Sequence, residues 1–211
     1  MEAYGDLPLE RCPHCGRAHT VLGLVLNPLM EASSRSDGAA PEVWAVYACR
    51  SCSGLVTARG EKVAKVVSGT TRNGLAVSAY YPTSPSVDEA VVPSAARYLK
   101  QAIETKHAPD ACVLMCAGAI DAMLKHNGLE NGSLKERIDK ALEQRLIPTA
   151  LSDWAHRVRL DANDTRHADQ NASPMTSLDA ERAIDFTMAM ANYLFVFPSK
   201  MPPATTEARE D

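Results

Sequence analysis

Two Cys-x-x-Cys pairs constrain this 211-residue chain more than any other feature of its sequence. Cys12 and Cys15 form the first pair, and Cys49 and Cys52 form the second. Two cysteines three positions apart on a tight turn can direct both thiolates at one ion, and zinc prefers four such ligands in a tetrahedron. We therefore predict one structural zinc ion held by these four thiolates, in preference to surface thiols or a redox-active pair.

Runs of β-branched and aromatic residues lie next to both cysteine pairs. They predict short strands at His19–Asn27, Glu42–Cys49, Gly54–Ala58 and Glu61–Val67. Strands that lead out of two cysteine turns are typical of a zinc ribbon. We therefore predict a zinc-ribbon β domain over residues 1–79, followed by a proline-containing linker over residues 80–93.

The second half of the chain has helical periodicity, with prolines and capping residues at the expected helix starts. The predicted helices are Ser94–Lys106, Pro109–His126, Leu134–Arg145, one from Thr149 to about Asn163, and one that begins at Ser177. Five amphipathic helices with short connections predict a helical bundle over residues 94–200, and residues 201–211 are expected to be a disordered tail. The expected fold class is α+β in two parts, a small β zinc ribbon followed by a mostly α five-helix bundle.

Composition narrows the possible partners and location. The chain carries 22 Lys+Arg and 26 Asp+Glu, for a net charge of −4 at pH 7, which excludes a globally basic nucleic-acid-binding protein. No segment approaches the roughly 20 uncharged apolar residues of a membrane-spanning helix. The first residues lack the basic and apolar regions of a secretory signal. We expect a soluble, cytoplasmic protein with no membrane partner.

The most unusual polar segment runs from His156 to Asp169. If one helix continues through it, Arg159, Asn163 and His167 lie at positions i, i+4 and i+8 and share one face. Phosphodiester cleavage could use these groups, with the imidazole as general acid or base and the guanidinium stabilising the developing charge. The alternative is structural: the arginine and asparagine cap the helix end and pair with neighbouring aspartates, while the imidazole packs against the next helix.

A second group of basic residues lies near the end of the first half. Its members are Arg59, Lys62, Lys65 and Arg72. Such side chains could contact nucleic-acid phosphates. They could equally form a solvated face with no ligand.

The second half resembles the domain-of-unknown-function family 4145. The resemblance rests on the helix that begins at Pro93, the small-residue helix ending in Met123-Leu124-Lys125, the Arg159-x-x-x-Asn163-x-x-x-His167 segment, and the Tyr193-Leu-Phe195-x-x-Pro198 ending. Proteins of that family often carry an N-terminal zinc ribbon. Their helical part is similar to the HEPN superfamily, which contains many metal-independent ribonucleases of toxin–antitoxin and antiphage systems.

The resemblance implies a HEPN-like bundle that forms a homodimer and acts on RNA. Arg159 would hold the scissile phosphate, Asn163 would orient the pair, and His167 would handle the proton. The spacing between Arg159 and His167 is longer than in active HEPN ribonucleases. The resemblance therefore also implies an alternative, a non-catalytic dimeric scaffold that binds nucleic acid or protein, because many members of the superfamily serve as binding modules.

Overall fold

The computed structural model describes residues 1–26, 36–39, 42–167 and 173–202, except for the side chains of Val67 and His167. The chain divides into two compact units, Met1–Pro85 and Ser86–Asp211. The tail expected over residues 201–211 lies outside the described residues apart from its first two positions.

The first unit contains one six-stranded antiparallel sheet. Its strands are β1 (Glu2–Ala3), β2 (Asp6–Arg11), β3 (Ala18–Leu26), β4 (Val43–Cys49), β5 (Leu55–Val67) and β6 (Thr70–Tyr81). Their order across the sheet is β1-β6-β5-β4-β3-β2. The two edge strands, β1 and β2, are joined by only Tyr4 and Gly5. Because so short a link spans only a few ångströms per residue, the sheet must curl until its edges come close together.

The prediction of a small zinc ribbon is therefore wrong. The two strands expected at Gly54–Ala58 and Glu61–Val67 are one long strand, β5, and it pairs with β6 along most of its length. Strands β1, β2 and β6 were not predicted. The first four residues of β6 are exposed and polar, so they lack the alternation that marks a half-buried strand. Pairing with β5 makes this segment a strand, and that pairing is a tertiary contact.

One face of the curled sheet forms the core of this unit. In β4 the burial alternates, so that Val43, Ala45, Tyr47 and Cys49 point into the core. The other fully buried large side chains are Leu7, Leu22, Val56 and Leu75. The sheet is thus stabilised mainly by apolar burial on one face, and the cysteine of β4 lies at the end of that core.

The second unit is helical. Its helices are α1 (Pro93–Glu104), α2 (Pro109–His126), α3 (Leu134–Glu143), α4 (Thr149–His167), α5 (Ser177–Ala191) and the short α6 (Phe197–Lys200), and a π-helical turn, Asn192–Val196, joins the last two. The α+β class and the five main helices agree with the prediction. Within the described residues, no helix has both the length and the apolar character needed to cross a membrane.

Helix α2 lies at the centre of the helical unit, in contact with α1, α3, α4 and α5. Its buried residues occupy most of its circumference and include Cys112, Cys116, Ile120 and Met123. The two cysteines are therefore core residues. Because α2 fills the centre, α3 and α4 pack beside one another on it, and this packing forms the site described below.

Candidate functional sites

The four cysteines of the two pairs lie on turns with matching backbone geometry. The amide of Gly16 donates to the carbonyl of Cys12 at 3.0 Å, and the amide of Ser53 donates to the carbonyl of Cys49 at 2.8 Å. Gly16 and Ser53 both have a left-handed backbone, with φ of 70° and 59°. The turns follow β2 and β4, which both pair antiparallel with β3. The ends of these two strands therefore lie on the same side of the sheet, and the turns meet there.

The sulfur atoms of these cysteines form a compact cluster. The four Sγ atoms of Cys12, Cys15, Cys49 and Cys52 lie within 4.8 Å of one another. The Sγ atoms of Cys12 and Cys52 are 3.9 Å apart. A tetrahedral site with zinc–sulfur bonds of about 2.3 Å places its sulfurs about 3.8 Å apart. All four are free thiols, so the cluster could hold a metal ion.

The surroundings of the cluster lower the pKa of one of its thiols and raise the pKa of another. Burial alone would raise the pKa of Cys49, but hydrogen bonds from Thr20, the Ser51 amide and other neighbours lower this pKa to about 6. The Thr20 hydroxyl lies 3.5 Å from the Cys49 sulfur, and the Ser51 amide donates to it at 3.4 Å. Burial raises the pKa of Cys12 to about 12. Since metals bind thiolates, Cys49 is prepared for a metal at neutral pH, while Cys12 must release a proton.

Helix α4 carries the predicted Arg159, Asn163 and His167, and it continues to His167. The three positions therefore share one helix face. Arg159 is half-buried, and its Nε atom is buried with no hydrogen-bond partner among the residues that the structure describes. Asp161, an expected partner in the structural interpretation, pairs instead with Arg157, its Oδ1 atom lying 3.3 Å from the arginine Nε. The side chain of His167 lies outside the described residues.

Arg159 lines a cavity of about 280 Å³ between α4, α3 and α2. The other polar residues around the cavity are Ser133, Lys135, Asn163 and Arg166. The lining contains three cationic side chains and no carboxylate. Lys135 also pairs with Asp139 at 2.9 Å, whereas Arg159 and Arg166 form no ion pair with the described residues. The lining therefore favours an anion over a cation, although the Glu136 carboxylate accepts from the Ser133 hydroxyl at 3.0 Å.

Two of these residues, Ser133 and Lys135, were not predicted as site residues. They belong to the start of α3, where the Ser133 hydroxyl caps the helix by accepting the Glu136 amide. No spacing rule links them to α4, so the sequence alone contains no signal for their position. The nearby His156 already has a partner, because its Nε2 lies 3.0 Å from the Asp139 carboxylate.

The second predicted group, Arg59, Lys62, Lys65 and Arg72, is only partly brought together. Lys65 and Arg72 face each other directly across β5 and β6, and Lys62 lies opposite the buried Leu75. Arg59 adds little to their positive charge, because its guanidinium forms an ion pair with Glu42 at 2.7 Å. Lys65 and Arg72 repel each other across the ladder unless an anion or solvent screens them.

Comparison with known proteins bears on the helical unit. Searches of curated proteins and of solved structures found no match to the chain. A family model described as a domain of unknown function, DUF4145, matches residues 101–209, slightly more than half of the chain. The matched segment begins within α1 and includes the cavity around Arg159, but not the four clustered cysteines. The chain therefore belongs to the DUF4145 family.

Proposed function

We propose that the helical unit binds RNA at the cavity around Arg159 and cleaves it without a metal ion, as HEPN-type endoribonucleases do. The observation that supports this most is Arg159 itself: its buried Nε atom has no partner among the described residues, and its side chain lines a cavity without carboxylates. A buried donor left unpaired costs about 1–3 kcal/mol. A bound phosphate would remove that cost, because guanidinium and phosphate form strong paired hydrogen bonds.

The proposed reaction follows from the groups on α4. The ribose 2′-oxygen attacks the adjacent phosphorus, the bond to the 5′-oxygen breaks, and the products are a cyclic phosphate and a 5′-hydroxyl. Arg159 holds the phosphate and stabilises its added charge, while Asn163 orients it. One imidazole takes the 2′-hydroxyl proton and a second protonates the leaving oxygen. His167 from each protomer of a homodimer would supply both imidazoles. The family resemblance further suggests antiphage defence or a toxin–antitoxin system as the setting.

The test is an RNA cleavage and binding assay in buffer without added divalent cations. His167→Ala should lower cleavage about 100-fold or more and leave binding in place. Arg159→Met should weaken binding at least about tenfold, the loss of one charged hydrogen bond. Arg145→Met, which replaces an exposed arginine outside the cavity, is the matched control. Unchanged cleavage by His167→Ala would refute the nuclease assignment.

A non-catalytic role in nucleic-acid binding is the second candidate. It is favoured by the directly opposed Lys65 and Arg72 on the exposed end of β5 and β6. Replacing both by glutamine should then weaken RNA binding and make it less sensitive to salt. His167→Ala should have no effect on this binding.

We also propose that the cysteine cluster holds one zinc ion with a structural role. Four thiolates complete a tetrahedral site and leave no position for a reacting water molecule. The sulfur spacing and the lowered pKa of Cys49 both fit this assignment. Elemental analysis should find one zinc per chain, and Cys49→Ser should lose it. A chain purified without zinc, or with iron in its place, would contradict the proposal.

A further inference from the structure

A second cavity, of about 330 Å³, lies between α4 and α5. Its floor is apolar, formed by the buried Val158 and Ala183. One wall is Trp154, which stacks on Phe186 with ring centroids 5.7 Å apart and an angle of 17° between the rings. Trp154 is nevertheless 47% exposed. The cavity therefore presents a large aromatic surface beside an apolar floor.

The polar residues that line this cavity include both cationic and anionic side chains. Arg182 and Asp153 form no hydrogen bond or ion pair with any described residue. Arg157 pairs with Asp161 at 3.3 Å, but its side chain is 73% exposed, so the pair is weak. The Asp161 carboxyl is the more buried partner, and burial is the main cause that raises its pKa. Both donors and acceptors are thus available to a ligand.

The mixture of charges limits which ligand fits. Two guanidinium groups would repel a simple cation, and the carboxylates of Asp153, Asp161 and Asp179 would repel a simple anion. A suitable ligand needs a planar ring for Trp154, hydrogen-bond donors for a carboxylate, and an anionic end for the arginines. A volume of about 330 Å³ lies at the lower end of the range of ligand pockets, about 300–1,000 Å³.

We propose that this cavity binds a free nucleotide. The base lies against Trp154, a contact worth about 1–3 kcal/mol per stacked base. Asp161 accepts hydrogen bonds from the base, and Arg182 holds the phosphate. Guanine offers two adjacent donors to one carboxylate, so GMP should bind more tightly than UMP. This inference goes beyond the RNA site, because Arg157 and Asp161 lie on a different face of α4 from Arg159 and Asn163 and the two cavities share no residue.

The chain has two tryptophans, so Trp44→Phe leaves Trp154 as the sole tryptophan, whose fluorescence is then the reporter. GMP should quench it saturably, and guanosine should bind about tenfold more weakly because it lacks the charged phosphate contact. Arg182→Gln should weaken GMP about tenfold and leave guanosine unchanged, while Arg145→Gln should change neither. Calorimetry on the unmodified chain provides a second measurement that does not depend on the Trp44 substitution.

Arg159→Met separates this proposal from the RNA site, since it should leave GMP binding unchanged. Absence of saturable quenching by any nucleotide up to about 10 mM would overturn the inference. So would equal binding of GMP by the Arg182→Gln variant. If only an RNA oligonucleotide quenches Trp154, and Arg159→Met abolishes that effect, the cavity belongs to the RNA site and the free-nucleotide proposal is wrong.

Discussion

Two arginines of the helical unit, Arg137 and Arg159, should respond to the same substitution with opposite changes in stability. Arg137 is only 8% exposed, and each of its three guanidinium nitrogens has a hydrogen-bond partner. It donates to the carbonyls of Leu129 and Glu130, each at 2.9 Å, and to Asp121 at 2.8 Å. Arg159 has a buried Nε atom for which the described part of the chain supplies no partner. The first guanidinium therefore stabilises the fold, and the second costs stability.

The magnitudes follow from these contacts. Arg137→Met leaves two carbonyls and one carboxylate without their donor. Each lost charged hydrogen bond lowers the free energy of unfolding by about 1.5–3 kcal/mol. Asp121 keeps Lys125 at 2.6 Å, so we expect a total loss of about 3–5 kcal/mol, less than the sum of the three bonds. Arg159→Met keeps the apolar stem and removes an unpaired donor, for a gain of about 1 kcal/mol. For a unit of this size that gain raises Tm by about 4 °C.

The assay is denaturant and thermal unfolding of the full chain, followed by far-ultraviolet circular dichroism in buffer without phosphate or nucleic acid. Arg145→Met is the control, since a surface change of this kind should stay within about 0.5 kcal/mol of the parent. A loss of stability in Arg159→Met comparable to that in Arg137→Met would refute the reasoning. Arg159 would then be a structural residue, and the argument for an anion site would lose its basis.

Three further outcomes are expected. Chelation of the proposed zinc ion should unfold the sheet unit and leave most helical ellipticity, because that ion would link only the turns that follow β2 and β4. Unchanged spectra would contradict this. In the metal-free chain, the free energy of unfolding should rise from about pH 6 towards pH 9.0. The pKa of Cys49 is lowered in the folded state, so in this range the unfolded state binds a proton that the folded state does not. A flat profile in denaturant titrations would contradict this. Gly60→Ala should lower the free energy of unfolding by about 1–3 kcal/mol in the same titrations, because a Cβ there would overlap the Ala76 carbonyl oxygen. Gly5→Ala is the control: a Cβ there meets open space, so this change should be neutral.

Local sequence patterns were sufficient for the starts of the five main helices and for the grouping of the four cysteines. Helix starts depend on nearby residues, such as the Ser133–Glu136 capping box, which is present in the structure. The four cysteines needed only a spacing that matches the geometry of one ion, and their sulfur atoms do cluster. The roles of Arg159, Asn163 and His167 stay predictions.

Only the tertiary structure decided the form of the sheet and the contents of the cavities. Strand β6 exists because β5 pairs with it, and the two edge strands β1 and β2 come close together because the sheet curls. Lys135 reaches the cavity of Arg159 because α3 packs beside α4, although 24 positions separate the two residues. Short-range hydrogen bonds and side-chain periodicity act within a few residues and are visible in a sequence. Strand pairing and the absence of a partner for a buried guanidinium depend on residues far apart in the chain, so they appear only when the chain is folded.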